Sequence, residues 1–170
     1  DLKLYVSYEI EGRIKDRAIY KETPVIVDVD CAHLDTISGK IYLDITKEGN
    51  IYNVEGGYYM EGIKEPVEFT ASGALPMSIP TKAGIVSIAE NKETKHKWKE
   101  GRSIRTNIYN PAEVAEMYAK SMSVEALSKT TTIADIIHND IIPERGIDYL
   151  KQVAVVYNRL ANIDKNEIAV

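Results

Sequence analysis

Residues 39–56 read GKIYLDITKEGNIYNVEG. Ile41, Leu43 and Ile45 alternate with Lys40, Tyr42 and Asp44, a period of two that puts three aliphatic side chains on one face of a strand. KEGN interrupts the alternation with a glycine-bearing turn, and NIYNVEG resumes the strand. Two such runs around a short turn predict a β-hairpin, and so antiparallel pairing.

The same pattern extends on both sides. In KLYVSYEI, Leu4, Val6, Tyr8 and Ile10 alternate with Lys3, Tyr5, Ser7 and Glu9; PVIVDVD places Val25, Val27 and Val29 on one face. EPVEFTA, AGIVSIAE and SIRTNIY are further strands, ASGALPMSIPTKAG is a turn-rich connection, and NKETKHKWKEGR is a polar loop or exposed hairpin tip. Short strands separated by Gly/Pro turns point to an antiparallel sandwich or jelly roll rather than a parallel sheet.

Beyond residue 109 the period changes. In NPAEVAEMYAKSM, Asn110 suits a helix N-cap, Pro111 the first helical position and Glu113 the third. Val114, Met117, Tyr118 and Ser121 share a face of this short helix. MSVEALSKTTTIADIIHND reads as two strands around Lys129–Thr130: Val124 and Ala126 mark the first, and Thr131, Thr132, Ile133, Ile136 and Ile137 the second. A terminal helix opens at Pro143, with Asn139 or Asp140 as acceptor for its free amides and Glu144 at its positive end. Its stripe runs through Ile147, Leu150, Val153 or Ala154, Tyr157, and Leu160 or Ala161, and is expected to bury against the β-sheet, with fraying from about residue 162. Gly146 weakens the first turn, which is understandable if something packs close to the backbone.

The fold class is therefore α+β: an antiparallel β-sandwich or jelly-roll-like domain with a short helix, a β-hairpin and a C-terminal helix. Residues 1–170 are read as a single domain, a β-rich insert over 24–109 set in a base of 1–10 and 111–170. The first strand is expected to join the final hairpin in one sheet. The chain opens in a strand and stops in a helix, which is the expectation for a piece of a larger protein.

Composition narrows function mainly by exclusion. The net charge of -5 argues against a general nucleic-acid binder. No run reaches the roughly eighteen apolar residues of a membrane span. Cys31 is the single cysteine and reads as small apolar filler. No phosphate-cradling glycine loop and no nucleophile elbow occur. His33, His96 and His138 lie far apart, without the spacing that places two imidazoles on one metal. The sequence thus indicates no catalytic residue, no metal site and no cofactor.

Three features remain as candidates. Asp28 and Asp30 share a strand face, with His33 just beyond, and could hold Ca²⁺ or act as acid and base; the plainer reading is the solvated face of an edge strand. Residues 91–105 carry Lys92, Lys95, Lys97, Lys99, Arg102 and Arg105 around Trp98, and Lys95, Lys97, Trp98 and Lys99 are the candidate contacts to an anionic polymer or membrane surface. The alternative there is a solvated loop whose Trp98 folds back onto the domain. The chain also has 11 tyrosines, with GGYYMEG their most exposed cluster by expectation.

RAIYKETPVIVDVD, with Tyr20, Lys21 and Pro24 leading into a strand, and IIPERGIDYLKQVAVVYNRLANIDKNEIA, with its Pro-x-Arg-small opening, resemble the extracytoplasmic region of bacterial polysaccharide co-polymerases, the chain-length determinant proteins. The closer likeness is to the subgroup fused to a cytoplasmic tyrosine autokinase in capsule and exopolysaccharide export; Lys151 stands where that family commonly has Asn. The resemblance implies a non-catalytic periplasmic part of an inner-membrane protein, with any kinase activity elsewhere in the parent. It implies self-association into a ring, and as partners the polysaccharide polymerase, the outer-membrane export machinery and the polysaccharide itself, but no nucleic acid. The alternative from the residues alone is a free-standing carbohydrate-binding β-sandwich; a hydrolase using Asp28 and Asp30 comes third.

Overall fold

In the computed structural model of the protein, the described residues are 2–12, 15–30, 34, 36–99, 101–128 and 133–168, the last five as helix backbone alone. They form two compact units: Lys3–Ala115, and Leu2 together with Glu116 onward.

The first unit is a β-sandwich. β1 (Val6–Ile10), β2 (Arg17–Ile19), β4 (Ile37–Glu48), β5 (Ile51–Met60), β6 (Val67–Gly73) and β9 (Ile104–Tyr109) form a six-stranded sheet in the order β2-β1-β9-β4-β5-β6. β3 (Val25–Val29), β7 (Met77–Thr81) and β8 (Gly84–Glu90) form a three-stranded sheet in the order β3-β8-β7. Every pairing is antiparallel. The alternation seen in the sequence becomes the core: Val25, Val27, Ile41, Leu43 and Ile45 are all at 0% exposure, in one cluster with Val54, Tyr58, Val86 and Ile108. Each such side chain contributes about 1.5–3 kcal/mol on leaving water.

The β4–β5 hairpin pairs Glu48 with Ile51 across Gly49 and Asn50. Gly49 has φ +59°, the positive value that a type II′ turn needs at its first central position and that glycine adopts without strain.

The stretch expected as a connection, residues 71–84, contains β7 instead. Pro80 conceals this strand in the sequence. It is tolerated because β7 is an edge strand, where a missing N–H breaks no ladder, and Ile79, at 5% exposure, anchors it in the core. The expectation that β1 joins the final hairpin is also corrected: both edges of β1 are already taken, by β2 and β9.

α1 (Pro111–Ser121) begins as expected, with Asn110 Oδ1 accepting the Ala112 N–H at 2.9 Å. Val114 and Tyr118 are buried, whereas Met117, assigned to the same face, is exposed.

The second unit holds the rest of α1, a hairpin and the long helix. β10 (Met122–Ala126) and β11 (Ala134–His138) pair from Met122↔His138 to Ala126↔Ala134, as a separate two-stranded sheet. The expected strand residues Thr131 and Thr132 lie outside the described residues. α2 (Pro143–Ile168) is one continuous helix of 26 residues. Its packed face agrees with the expected stripe at Leu150, Val153 and Ala161, which are half-buried, and with the close packing expected at Gly146, but departs from it elsewhere. Gly146 is buried, Tyr149, Val153 and Val156 are half-buried, and Ile147 and Tyr157 are exposed. The face turns toward Gly146 because a Cβ there would meet Asp140 Cβ at 3.1 Å, so glycine admits the close approach. Nor is the stripe buried along its length. At about 1.5 Å per residue α2 spans roughly 39 Å, while a five-residue strand covers about 17 Å.

Candidate functional site

β3 is an edge strand whose valines turn inward, leaving Asp28 and Asp30 on its outer side. Asp28 is engaged: Lys3 Nζ pairs with Oδ2, the Tyr5 hydroxyl donates to Oδ1 at 3.0 Å and the Val29 N–H to the same atom at 2.9 Å. Burial works to raise its carboxyl, but the Lys3 and Tyr5 hydrogen bonds outweigh it and hold Asp28 below the ordinary carboxylate value. Such a group is an ion-pair anchor rather than an acid awaiting a proton. Cys31 and His33 lie outside the described residues, and among the described residues no three potential ligand side chains gather to hold a metal.

The tyrosine cluster divides. Tyr58 is fully buried, and its hydroxyl accepts the Lys82 N–H at 2.9 Å; Tyr59 is exposed. Alternation along β5 forces this division, because neighbouring residues point to opposite faces.

The basic segment divides too. Arg105 sits on β9 and meets Asp44 at 3.2 Å and Asp16 at 3.5 Å, while Arg102 donates to the Glu11 carbonyl at 3.0 Å. Trp98 folds back. It is half-buried against the sandwich core and meets Tyr52 edge to face, with centroids 5.7 Å apart and planes at 89°. Its Nε1 is buried with no hydrogen-bond partner among the described residues.

Between this segment and the β4–β5 hairpin lies a groove of about 470 Å³. Lys47, Lys92 and Lys97 bring three cations to its lining, and Glu90 one anion. Of the four sequence candidates, Lys97 and Trp98 line the groove; Lys95 and Lys99 are exposed and do not. Lys47 and Tyr52, which come from the distant hairpin, carry no local signal that would place them here. Lys47 Nζ stands 5.2 Å over the Tyr52 ring, a cation–π contact across the β4–β5 register pair Lys47↔Tyr52. Asn91 fixes the loop. Its Nδ2 donates to the Thr23 carbonyl at 2.8 Å and the Lys21 carbonyl at 3.3 Å, and its Oδ1 accepts the Glu93 N–H at 3.1 Å. Thr94 Oγ1 then accepts the His96 N–H at 3.1 Å, and His96 Nε2 meets Glu22 at 2.9 Å. The one legible signal for this scaffold was an Asn directly after a strand, where its side chain can bond local backbone.

A second cluster lies in the helix–hairpin unit. Asp140 Oδ1 accepts the Ile142 N–H at 2.8 Å, the cap expected of Asn139 or Asp140, and Arg145 grips both carboxylate oxygens at 2.7 and 2.8 Å. The Tyr118 hydroxyl adds a bond at 3.3 Å. Burial would raise the Asp140 carboxyl, and the Arg145 and Ile142 bonds overcome it and keep it below its usual value. His138 stacks on Tyr118 at 5.1 Å and tilts against Tyr149 at 4.9 Å, and its Nδ1 is 3.0 Å from Ser121 Oγ.

Ser121, His138 and Asp140 stand in the order of a catalytic triad, but their geometry is not that of one. Ser121 Oγ already donates to the Tyr118 carbonyl at 2.9 Å, His138 Nε2 is 3.8 Å from Asp140, beyond hydrogen-bond reach, and Arg145 occupies the carboxylate. The cluster locks helix to hairpin.

Comparison with protein-family models, curated proteins and solved structures found no match.

Proposed function

We propose that this chain is a non-catalytic periplasmic domain of a membrane polysaccharide co-polymerase, which helps control capsular or exopolysaccharide chain length and export by assembling into an oligomeric ring. The reading starts from the likeness of RAIYKETPVIVDVD and IIPERGIDYLKQVAVVYNRLANIDKNEIA to that family. One observation favours it above the alternatives. On α2, Gly146, Tyr149, Val153, Val156, Leu160 and Ile163 follow one another at alternating steps of three and four, the spacing of a helix–helix seam. The seam starts half-buried and runs outward until Leu160 and Ile163 are 52% and 45% exposed. The hairpin beside it leaves the cross-strand pair Val124 and Ile136 exposed as well. Apolar surface concentrated in this way is what an assembly domain presents to a neighbouring copy.

Sedimentation velocity over a concentration series tests the proposal. The chain is expected to self-associate, and Val156→Glu with Leu160→Glu to abolish association while leaving the circular dichroism unchanged. A chain that stays monomeric at millimolar concentration, with no self-crosslinking through a cysteine placed at Leu160, would overturn it.

A further inference from the structure

We propose that the groove between the β4–β5 hairpin and residues 91–98 binds an acidic sugar, a hydroxylated ring bearing a carboxylate or phosphate. This goes beyond the assembly reading and does not rest on it, since the groove lies wholly within Lys3–Ala115.

The shape comes first. About 470 Å³ falls within the range that small-molecule sites occupy. Charge is the second point. In a chain of net charge -5, Lys47, Lys92 and Lys97 converge on one concavity, and among the described residues none of the three has a carboxylate within ion-pair distance. A concave wall of like charge focuses its field on a counter-ion. Third, the groove is preorganised: Asn91 ties one end of its loop to the Lys21 and Thr23 carbonyls, and Trp98 anchors the other against Tyr52. A ligand therefore need not bear the cost of ordering the loop.

The lining also says what the rest of the ligand is. Glu90 would repel a bare phosphate, but it can accept hydrogen bonds from hydroxyl groups, and Thr94 beside it can donate or accept. Lysines take the oxyanion; Glu90 and Thr94 take the ring hydroxyls. A single-stranded nucleic acid fits poorly, because base stacking needs open aromatic faces, and Tyr52 is 7% exposed while Trp98 is turned into the core.

Trp98 is the only tryptophan, so intrinsic emission of the full chain reports on the groove directly. Trigalacturonate is the probe for the carboxylate source and glucose 6-phosphate for the phosphate source; maltotriose and inorganic phosphate are the controls. At least one of the two acidic sugars is expected to change Trp98 emission saturably, with affinity falling as salt rises. Lys47→Gln with Lys97→Gln should weaken that binding by about tenfold or more, and Lys95→Gln with Lys99→Gln should leave it unchanged. Any one of four results would overturn the proposal: no response to either acidic sugar, an equal response to maltotriose, inorganic phosphate binding as tightly as the sugars, or equal sensitivity to the two double variants.

Discussion

The sandwich unit and the helix–hairpin unit spend their apolar residues in opposite ways. In the sandwich, Val25, Val27, Ile41, Leu43 and Ile45 are wholly buried and the charges lie outside. In the helix–hairpin unit, Val124, Leu127, Ile133, Ile137, Val155 and Leu160 are at 48–60% exposure, while the most enclosed side chains include His138 and Asp140, at 4% and 3%. One unit is held by hydrophobic burial. The other is held by a buried ionic and aromatic knot, because a lone two-stranded hairpin is marginal in water without a partner to pack on. The sandwich also exposes Ile26, Ile51, Ile63 and Ile85, at 42–50%, but around a closed core; the aliphatics that the helix–hairpin unit leaves in water are what the assembly proposal rests on.

The contrast can be broken at its most vulnerable point. Asp140→Ala strands Arg145 and uncaps α2, and should cost about 3–5 kcal/mol. The loss should fall on the helix–hairpin unit alone: amide exchange over residues 122–138 rises, while Trp98 emission stays as it was. Equal loss of protection in both units would mean that they do not differ in this way. Leu43→Ala is the converse. It opens a cavity in a core at 0% exposure and should cost roughly 3 kcal/mol, seen as an earlier melt of the Trp98 signal with α2 helicity unaffected.

Acid sharpens the comparison further. A carboxyl held below its ordinary value stabilises the fold above the unfolded value, near 3.8, and that stabilisation is lost as pH falls through the lower folded value. Asp140 is enclosed, whereas the Asp28 side chain is 40% exposed and better screened. Titration below pH ~4 should therefore release the hairpin amides before those of β3. The alkaline limb belongs to the sandwich. Burial pushes the Tyr8 hydroxyl up to about 12, so stability present below 10 is lost as pH rises toward that value. Cooperative unfolding of the hairpin first in alkali would contradict this.

Smaller effects refine the picture. Thr106 is fully buried on β9, and its hydroxyl has no partner among the described residues. Thr106→Val should stabilise the sandwich by about 1 kcal/mol in a denaturant melt. Leu160→Ser should change monomer stability by less than about 0.5 kcal/mol, and show itself only in self-association.

Period-two patterning made most of the sandwich legible, since Ile41, Leu43, Ile45 and the three valines of β3 each reported their face without help from distant residues. β7 stayed hidden because Pro80 marks a strand interior only where the strand is an edge, and edge position is set by the whole sheet. The face of α2 was legible in part: Leu150 and Val153 lie on it and Gly146 signals a close approach, but Ile147 does not belong to it. Ile147 is more hydrophobic than Gly146, yet the glycine marks the contact, because it permits approach of Asp140. The groove was half legible: Lys97 and Trp98 are local in the chain, but Lys47 and Tyr52 reach them only through the hairpin.

The β1–β9 ladder sets an order in time. It joins Val6 to Ile108 and Ile10 to Ile104, partners roughly a hundred positions apart, so closing it carries a loop-entropy cost that no local contact repays early. During synthesis the six-stranded sheet must wait until β9 has left the ribosome, with β1 meanwhile paired at most to β2. The β10–β11 ladder joins residues at most sixteen positions apart, from Met122↔His138 to Ala126↔Ala134, and can form within its own stretch of chain. Pulse-labelled hydrogen exchange during refolding should find the β10–β11 amides protected before those of β1, and the reverse order would show that the long ladder nucleates the fold.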